Sequence, residues 1–430
     1  MNGPLRGARA VAVLGVAGLA LTACGGGGEE TAAEPSASES GSSSSAPAEQ
    51  NTGDGVLTIG SLLPQTGSLA FLGPPEFAGV ELAISDINAA GGFNGQDVGY
   101  VEGDSGDATT DIASQTVQRL LGANADAIVG AASSGVSQTV IDAITGAGVV
   151  QFSPANTSPV FTDYEDDGLY FRTAPSDVLQ GRVMGDLVVS DGHLDVALLT
   201  IDDPYGSGLA ENITSSVEAG GGSVVANVVF NPDAPTFDAE VSEVLAAQPE
   251  ALVVIGFDQT VRIVNALVAQ GSGPQDLPTY FVDGNLSNYG EEFAPGTLEG
   301  VKGTLPGSAT SAEFQARLKE VDPALNGFEY APEAYDATVL IGLAANVAGS
   351  DAGTAIAAEL QGVSREGTAC TSYEECAGLL DAGEDIDYNG FSGPVEFDEN
   401  GDPTRATIGI YQYGPDNMYS NIEYREGSLG

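Results

Sequence analysis

Short apolar strands alternate with amphipathic helices through most of this chain, and this alternation restricts the possible fold more than any other feature. The run at 56–63 is apolar, partly β-branched, and stops at Pro64. Residues 76–90 then carry apolar side chains at the i, i+3, i+4 spacing of a helix, and Gly91 and Gly92 follow. Repeated strand–helix units predict a parallel sheet with helices on both of its faces.

The alternation occurs in two series, which meet near residues 171–175. We therefore predict two doubly wound α/β lobes of similar size, and the helices left over after them suggest that the chain crosses between the lobes. The chain ends in a predicted hairpin, in which 393–397 pairs with 406–411 across an Asn-Gly turn. The further predicted strands are 98–101, 127–130, 149–152, 196–201, 224–230, 252–255 and 279–282, and the further predicted helices are 111–121, 137–144, 176–189, 209–217, 237–247, 261–270, 312–321, 332–347 and 352–360.

The N-terminal segment has the composition of a targeting sequence and a linker. Residues 1–23 are typical of a secretion signal, with an apolar run that is too short to span a bilayer as a stable anchor. The sequence Leu-Thr-Ala-Cys that ends at Cys24 resembles a bacterial lipobox, which predicts lipidation of Cys24; the alternative is an ordinary signal cleaved after small residues. Residues 25–54 contain no Leu, Ile, Val, Phe or Tyr, so we expect residues 24–54 to form a disordered tether.

Acidic residues far outnumber basic ones, with 61 Asp and Glu against 12 Lys and Arg and a net charge of −49. This balance excludes nucleic acid as a partner, because neutralising phosphates requires clustered cations. The chain has three Cys and one His, which excludes a Cys/His zinc cluster. We therefore expect no metal and no other cofactor.

Catalytic motifs have little support in this sequence. A Ser-His-Asp triad would need His193, which lies in a predicted helix-to-strand loop, at the opposite end of the sheet from the ends that bind ligands. No phosphate-binding or dinucleotide-binding glycine motif opens a helix after a strand. A hydrolase with two carboxylates stays open, because acids are abundant, but we predict that the protein is not an enzyme.

The loops after the predicted strands carry the side chains of a candidate binding site. Ligands of parallel sheets lie outside the carboxyl ends of the strands. Hydroxyl-rich loops at 131–135 and 153–157 lead into a helix and a turn, where free N–H groups can hold a carboxylate; helix capping is the alternative role. Asp283 suits an ammonium group, and Tyr205 and Phe257 supply aromatic walls. Together these features describe a site for a free amino acid.

Several short motifs in this order resemble those of a known family. They are IGSLLPQTG at 59–67, EFAG at 76–79, DINAAGG at 86–92, SPANTSP at 153–159, YGSG at 205–208 and YDA at 335–337. The chain resembles the branched-chain amino acid (leucine/isoleucine/valine) binding proteins of ABC transporters over about residues 56–413. These proteins have the type I periplasmic-binding-protein, or Venus-flytrap, fold.

The resemblance implies a set of ligand-binding positions. The family's acid that binds the ammonium group falls on Asp283, a shorter carboxylate than the usual Glu. An aromatic residue that many members carry in the first loop falls near Leu72, with Phe71 beside it. Members of similar sequence bind amides, urea or aromatic acids, so the ligand's side chain stays open. The implied positions are Ser134, Ala155, Thr157, Tyr205, Asp283, Phe257 and Leu72.

The resemblance also implies lobe boundaries and a function. Lobe I would comprise 55–174 and 305–391, and lobe II 175–304 and 392–430, joined by a three-strand hinge. The function implied is that of a solute-binding protein, and the lipobox at Cys24 with its long tether places it, lipid-anchored, on the outer face of the cytoplasmic membrane in a Gram-positive envelope. It would capture an amino acid or an analogue and deliver it to an ABC permease. The alternative is a ligand sensor of the same fold, for amides, urea or aromatic acids, without transport.

Two cysteines lie close together near the C-terminal end of the predicted lobe I. Cys370 and Cys376 have five residues between them, in a polar stretch. Outside the cell a disulfide between them is favoured, and two reduced thiols are the alternative.

Overall fold

The computed structural model describes residues 50–429, which form two α/β lobes. Each strand and helix predicted in the two alternating series is present. The strands are β1 (Thr58–Leu62), β2 (Gly99–Val101), β3 (Ala127–Gly130), β4 (Val150–Ser153), β5 (Tyr170–Arg172), β6 (Asp195–Ile201), β7 (Ser223–Phe230), β8 (Ala251–Ile255), β9 (Thr279–Phe281), β10 (Lys302–Pro306), β11 (Thr368–Cys370), β12 (Ile386–Tyr388), β13 (Arg405–Tyr413) and β14 (Tyr419–Ser428). The helices are α1 (Gly73–Ala89), α2 (Ile112–Gly122), α3 (Ser134–Thr145), α4 (Asp177–Ser190), α5 (Pro204–Ala219), α6 (Asp238–Ala246), α7 (Gln259–Ala269), α8 (Ala312–Val321), α9 (Ala331–Ala348), α10 (Gly353–Val363) and α11 (Tyr373–Asp381).

The sheet of lobe I is parallel, with the strand order β2-β1-β3-β4-β5. Alternate side chains of its buried strands point to opposite faces of the sheet. Ile59 and Ala127 lie in the core beneath α1 and α9, whereas Leu62 and Ile128 lie in the core beneath α2 and α3. Helices therefore cover both faces, which confirms the doubly wound prediction for this lobe.

The sheet of lobe II has the strand order β14-β13-β10-β9-β8-β6-β7. Strands β10, β9, β8, β6 and β7 are parallel, and β13 is antiparallel to both β10 and β14. Its apolar core also includes residues from loops of lobe I, which therefore pack directly against lobe II. These residues are Leu69, Leu72, Ala132, Ala155 and Tyr330.

The predicted hairpin between 393–397 and 406–411 is wrong. Strand β13 pairs with β10 and β14 instead, and Phe397 forms only an isolated bridge with Pro403. Proline has no backbone N–H to donate to a strand partner, and Pro394 lies within the predicted first strand. The chain just before it is held by Asp336, whose carboxylate accepts the N–H of Ser392 at 2.7 Å.

Two predicted boundaries also differ from the structure. Phe397, which the sequence assigns to lobe II, lies in the core of lobe I, with its ring 5.7 Å from that of Phe152 and 5.6 Å from that of Phe171. The last residues of the predicted tether contact the body, because Asn51 donates to the carboxylate of Asp126 at 2.9 Å. The predicted boundaries were drawn from the apolar content of the sequence. That content does not reveal the contacts of a single aromatic ring, Phe397, or of a single side-chain amide, Asn51.

Cys370 and Cys376 form a disulfide, with 5.4 Å between their Cα atoms, as the sequence predicts.

Cys24, the predicted signal and most of the predicted tether lie outside the described residues. Within residues 50–429, no single helix combines the length and apolar character that a membrane crossing needs; α9 and α10 do so only as a pair bent by 106°.

Candidate ligand-binding site

The hydroxyl-rich loop at 131–135, here called the first binding loop of lobe I, leads into α3. Ser133 is the N-cap of this helix, and its hydroxyl accepts the N–H of Val136 at 3.3 Å. Ser134 is the first helical residue, and its buried hydroxyl accepts the N–H of Ser158 at 3.4 Å. Ser133 therefore caps α3, and Ser134 joins the two loops of lobe I that follow β3 and β4.

The hydroxyl-rich loop at 153–157, here called the second binding loop, follows β4. A turn stabilised by the Ser153 side chain sets its backbone. The Ser153 hydroxyl accepts the N–H groups of Ala155 and Asn156 at 3.2 and 2.9 Å. The carbonyl of Thr157 accepts the N–H of Asp177, at the start of α4, at 2.7 Å. This contact ties the loop to the first turn of the helix that begins lobe II.

A buried arginine fixes the same loop from behind. Arg172 is fully buried, and it forms a two-pronged ion pair with Asp402, at 2.6 and 2.7 Å. The guanidinium also donates to the carbonyls of Asn156 and Ser158 at 3.3 and 2.8 Å, and to the hydroxyl of Thr162 at 3.1 Å. All five of its N–H groups are thus engaged, so Arg172 organises the loop and has no donor left for a ligand.

Aromatic side chains of lobe II face these loops. Asp203 caps α5 and accepts the N–H of Tyr205 at 2.8 Å, which sets the start of the helix. The Tyr205 ring stacks on Phe257, with centroids 5.6 Å apart and planes 17° apart. Gly135 of lobe I lies so close to Asp203 that a Cβ there would clash with its carboxylate. The two lobes are therefore in contact at this site.

Asp283 lies at the centre of a buried hydrogen-bond network. Its Oδ1 accepts from the Gln180 amide at 2.8 Å and from the Tyr205 hydroxyl at 2.7 Å, and its Oδ2 accepts from the Tyr330 hydroxyl at 2.7 Å. Tyr330 has a left-handed backbone, with φ of 57°, an uncommon conformation for a bulky residue. The surrounding contacts hold this strained residue so that its hydroxyl reaches Asp283.

The site concentrates buried acids. Burial raises the pKa of Asp283, an effect that the hydrogen bonds from Tyr205, Tyr330 and Gln180 oppose. Burial, followed by the charge of Asp283, raises the pKa of Asp177 well above its usual value. Burial also raises the pKa of Asp203 to about 6. Three carboxyl groups in one contact region favour a ligand that brings a positive charge.

A cavity of about 380 Å³ lies between the lobes near the start of α5. Residues of both lobes line it, including Ser68 and Ser133 of lobe I and Asp203 and Phe257 of lobe II. Its volume is within the range of small-molecule sites. Among the proposed binding residues it reaches Phe257, and Asp203 is the acid of this region that lines it.

The family of the chain follows from its sequence. The model of the periplasmic binding protein family matches residues 56–414. The chain belongs to the periplasmic binding protein family. It is 29% identical over 353 residues to the chemotactic signal transduction system substrate-binding protein BasB of Halobacterium salinarum, covering 79% of this chain and 83% of that protein. It is 27% identical to Leu/Ile/Val-binding protein homolog 2 of Brucella abortus, covering 85% and 93%.

Solved structures have the same fold as this periplasmic binding protein. LivJ of Streptococcus pneumoniae, in complex with isoleucine, has a TM-score of 0.71 and 23% identity, covering 87% of this chain and 99% of that one. A solute-binding protein of R. palustris, in complex with 4-hydroxybenzoate, has a TM-score of 0.71 and 17% identity, covering 87% and 97%. The relatives are substrate-binding proteins, not enzymes, which confirms the prediction of a non-enzymatic protein.

Direct contacts join some of the residues that the family resemblance implies for this periplasmic binding protein. Tyr205 stacks on Phe257 and is bonded to Asp283, and Leu72 and Ala155 belong to the same apolar core of lobe II. Ser134 contacts Ser158, and Thr157 contacts the start of α4. The sequence missed Asp177, Gln180 and Tyr330. An acid in the first turn of a helix is ordinarily explained by the helix dipole, so Asp177 gave no distinct signal.

A second cavity, of about 390 Å³, lies where the chain crosses between lobes, and it reaches none of the proposed binding residues. Thr173, Gly307 and Arg405 line it, together with Glu333. Glu333 is buried, and its Oε2 has no hydrogen-bond partner. Burial raises the pKa of Glu333 to about 8, and burial followed by the charge of Glu333 raises the pKa of Glu76 well above its usual value. Glu333, a buried acid with a raised pKa, therefore lies at this cavity, where the chain crosses between the lobes.

Glu333→Gln is expected to remove part of the loss of stability at alkaline pH. An unfolded Glu loses its proton near pH 4.5, whereas folded Glu333 keeps it up to about pH 8. The stabilising contribution of the proton is complete below pH 4.5 and disappears as the pH rises through 8. Thermal unfolding between pH 5 and 9 should therefore give a smaller fall in Tm for Glu333→Gln than for the wild type. Exposed Glu313→Gln is the control, and identical curves for all three proteins would contradict the assignment.

Proposed function

We propose that this periplasmic binding protein captures a small amino acid between its lobes, outside the cytoplasmic membrane, and delivers it to an ABC permease. The observation that carries the proposal is the buried acid Asp283 at the lobe interface, opposite the hydroxyl-bearing loops of lobe I. An acid and a set of hydroxyl and N–H donors, held on opposite lobes, match the ammonium and carboxylate groups of an amino acid.

The charge of the site favours an amino acid over an aromatic acid. Relatives include a Leu/Ile/Val-binding protein homolog, and structural neighbours include complexes with isoleucine and with benzoates. A benzoate would add an anion to a region that already holds Asp177, Asp203 and Asp283. An amino acid brings an ammonium group, which offsets these charges.

Each site residue has a proposed role. Ser134, Ala155 and Thr157 would hold the carboxylate, Asp283 would take the ammonium charge, and Tyr205 would contribute from lobe II. Leu72 and Phe257 would contact the ligand's side chain, because both are apolar and buried at the lobe interface. Release would require the lobes to separate by hinge motion at the chain crossings.

We also propose that Cys24 carries a lipid anchor that keeps the protein at the outer face of the membrane of a Gram-positive cell.

A second candidate is a sensor that presents its bound ligand to a membrane receptor without transport. One observation favours it: the relative from Halobacterium salinarum is a substrate-binding protein of a chemotactic signal transduction system. Deletion of the gene separates the two functions. Loss of amino acid uptake supports delivery to a permease, whereas intact uptake with loss of a behavioural response supports the sensor.

A thermal-shift panel with the full chain tests the proposed ligand class. The panel contains leucine, isoleucine, valine, benzoate, 4-hydroxybenzoate, acetamide and urea. A ligand at about 100 times its Kd adds roughly 2.7 kcal/mol to the free energy of unfolding, which raises Tm measurably. We expect the aliphatic amino acids to raise Tm and the benzoates to have no effect. A shift with aromatic acids or amides alone would contradict the amino acid proposal.

A further inference from the structure

A third cavity, of about 310 Å³, lies where the chain crosses from lobe II into lobe I at residues 305–310. The rings of Tyr411 and Tyr419, which line it, are 85° apart with centroids 5.4 Å apart, so they form two adjoining walls. The volume is within the range of small-molecule sites. Aromatic side chains of both lobes line the cavity: Phe328 and Tyr330 of lobe I, and Tyr411, Tyr419 and Tyr424 of lobe II.

Two glutamates line the same cavity. Glu329 accepts a hydrogen bond from the Tyr419 hydroxyl, which joins the two lobes at the cavity wall. Glu333 is buried, and its Oε2 has no hydrogen-bond partner. Burial first, then Tyr424, and then the charges of Glu329 and Glu333 raise the pKa of Tyr411. Both carboxyl groups therefore lie close enough to act on one aromatic ring of the cavity.

The charge of the cavity is not balanced by a base. Among residues 50–429, no Lys, Arg or His lines it. Lys319 lies outside the cavity, with its Nζ 5.4 Å from the centroid of the Phe328 ring, so an aromatic face of this region already attracts a cation. Buried polar atoms are nearly always paired in folded proteins, and the free Oε2 of Glu333 indicates a missing donor. Aromatic faces, negative charge and an unpaired acceptor together favour a cation that carries N–H groups.

We propose that this cavity binds a small organic cation of the alkylguanidinium class, at a site separate from that of the amino acid. A guanidinium is planar, stacks on aromatic faces and donates several N–H groups in a fixed fork. Glu329 would supply the negative charge, and Glu333 Oε2 would accept an N–H. A carboxyl group keeps an acceptor oxygen whether or not it is protonated, so the contact with Glu333 does not require its ionised form.

Other ligand classes satisfy fewer of these groups. A quaternary ammonium ion can use the aromatic faces, but it has no N–H for Glu333 Oε2. An amino acid would bring its carboxylate beside Glu329, where no base of the described residues lines the cavity. Tyr330 lies next to both sites, because it lines this cavity and its hydroxyl donates to Asp283 at 2.7 Å.

Titration calorimetry of the full chain with methylguanidinium chloride, at constant ionic strength and without amino acids, tests the proposal. We expect the wild type to bind methylguanidinium, and to bind tetramethylammonium about 10-fold more weakly because that ion has no N–H. Glu329→Gln removes the charge but keeps an acceptor for Tyr419, and should lower methylguanidinium affinity about 10-fold. Glu313→Gln, which changes an exposed acid of α8, is the matched control and should bind like the wild type.

A pair of substitutions at Tyr424 tests the aromatic wall. Tyr424 is 39% exposed on the edge strand β14, so its replacement leaves the cores of both lobes unchanged. Tyr424→Leu should lower methylguanidinium affinity about 3- to 10-fold, whereas Tyr424→Phe keeps the ring and should bind within about twofold of the wild type.

Three results would overturn the proposal. The first is a wild type that does not bind methylguanidinium. The second is equal affinity for methylguanidinium and tetramethylammonium, which would show that no N–H is recognised. The third is wild-type affinity in both Glu329→Gln and Tyr424→Leu, which would place the bound cation elsewhere. None of these results bears on isoleucine binding at Asp283, which is titrated separately.

Discussion

Asp283→Asn is expected to weaken isoleucine binding by about 100-fold or more. The substitution keeps the size of the side chain but removes the charge at the centre of the buried network with Gln180, Tyr205 and Tyr330. Loss of one partner from a buried charge pair costs about 2–5 kcal/mol of binding free energy. Titration calorimetry of the purified full chain measures the change in Kd directly.

The choice of Asn keeps this test separate from a test of folding. Asp283→Ala would strand three buried donors and lower stability as well as affinity. Asn keeps one acceptor oxygen, and a tyrosine hydroxyl can turn to accept from the new amide. Asp202→Asn, a substitution of an exposed acid near the start of α5, serves as the control and should bind isoleucine like the wild type. An unchanged Kd in a folded Asp283→Asn protein would remove Asp283 from the ammonium site.

Arg172→Met is expected to cause the largest loss of stability, about 3–5 kcal/mol of the free energy of unfolding. The substitution leaves the Asp402 carboxylate buried with an uncompensated charge and releases the carbonyls of Asn156 and Ser158. Denaturant unfolding, followed by circular dichroism, measures the loss. Ligand affinity should fall as well, because the second binding loop loses its support.

Two further variants separate the buried ion pair from a general effect of losing an arginine. Arg425→Met removes a surface pair with Glu423 and should change stability by no more than about 1 kcal/mol. Combining Arg172→Met with Asp402→Leu removes both buried charges, and we expect it to restore part of the lost stability. If Arg172→Met and Arg425→Met cost the same, Arg172 does not have the structural role assigned to it.

The alternation of apolar runs was sufficient to predict the lobes because their strands are buried on both faces and their helices cover both sides. Strand β14 escaped prediction because Tyr419–Ser428 is mostly polar and exposed, and lies at the edge of its sheet. Its pairing with β13 replaces the predicted hairpin. An edge strand gains its hydrogen bonds from one neighbour only, and its sequence carries little trace of burial.

The motifs used for the family resemblance have structural explanations that the sequence alone did not reveal. Gly208 lies against Pro159 of the other lobe, where a Cβ would leave too little space. Asp336 holds the chain at Ser392 near the lobe crossing. These contacts join residues that are far apart in sequence, so spacing alone does not predict them.

The role of the first turn of α4 was equally inaccessible to sequence reasoning. Asp177 and Gln180 are ordinary residues for such a turn, and only their contacts with Thr157 and Asp283 in the folded structure distinguish them. Tyr330 reaches Asp283 because of a left-handed backbone that no residue pattern announces. The ends of the predicted strands pointed to Asp283 and to the loops that carry Ser134 and Thr157, and the family resemblance implied their roles, whereas the added residues are revealed only by contacts in the folded structure.

A crystal structure of the full chain grown with L-isoleucine tests the central claim most directly. The account predicts the amino acid between the lobes, with its carboxylate at Ser134 and Thr157 and its ammonium within hydrogen-bond distance of Asp283. Isoleucine bound in the cavity beside Glu333, or between the lobes with its carboxylate against Asp283, would contradict it.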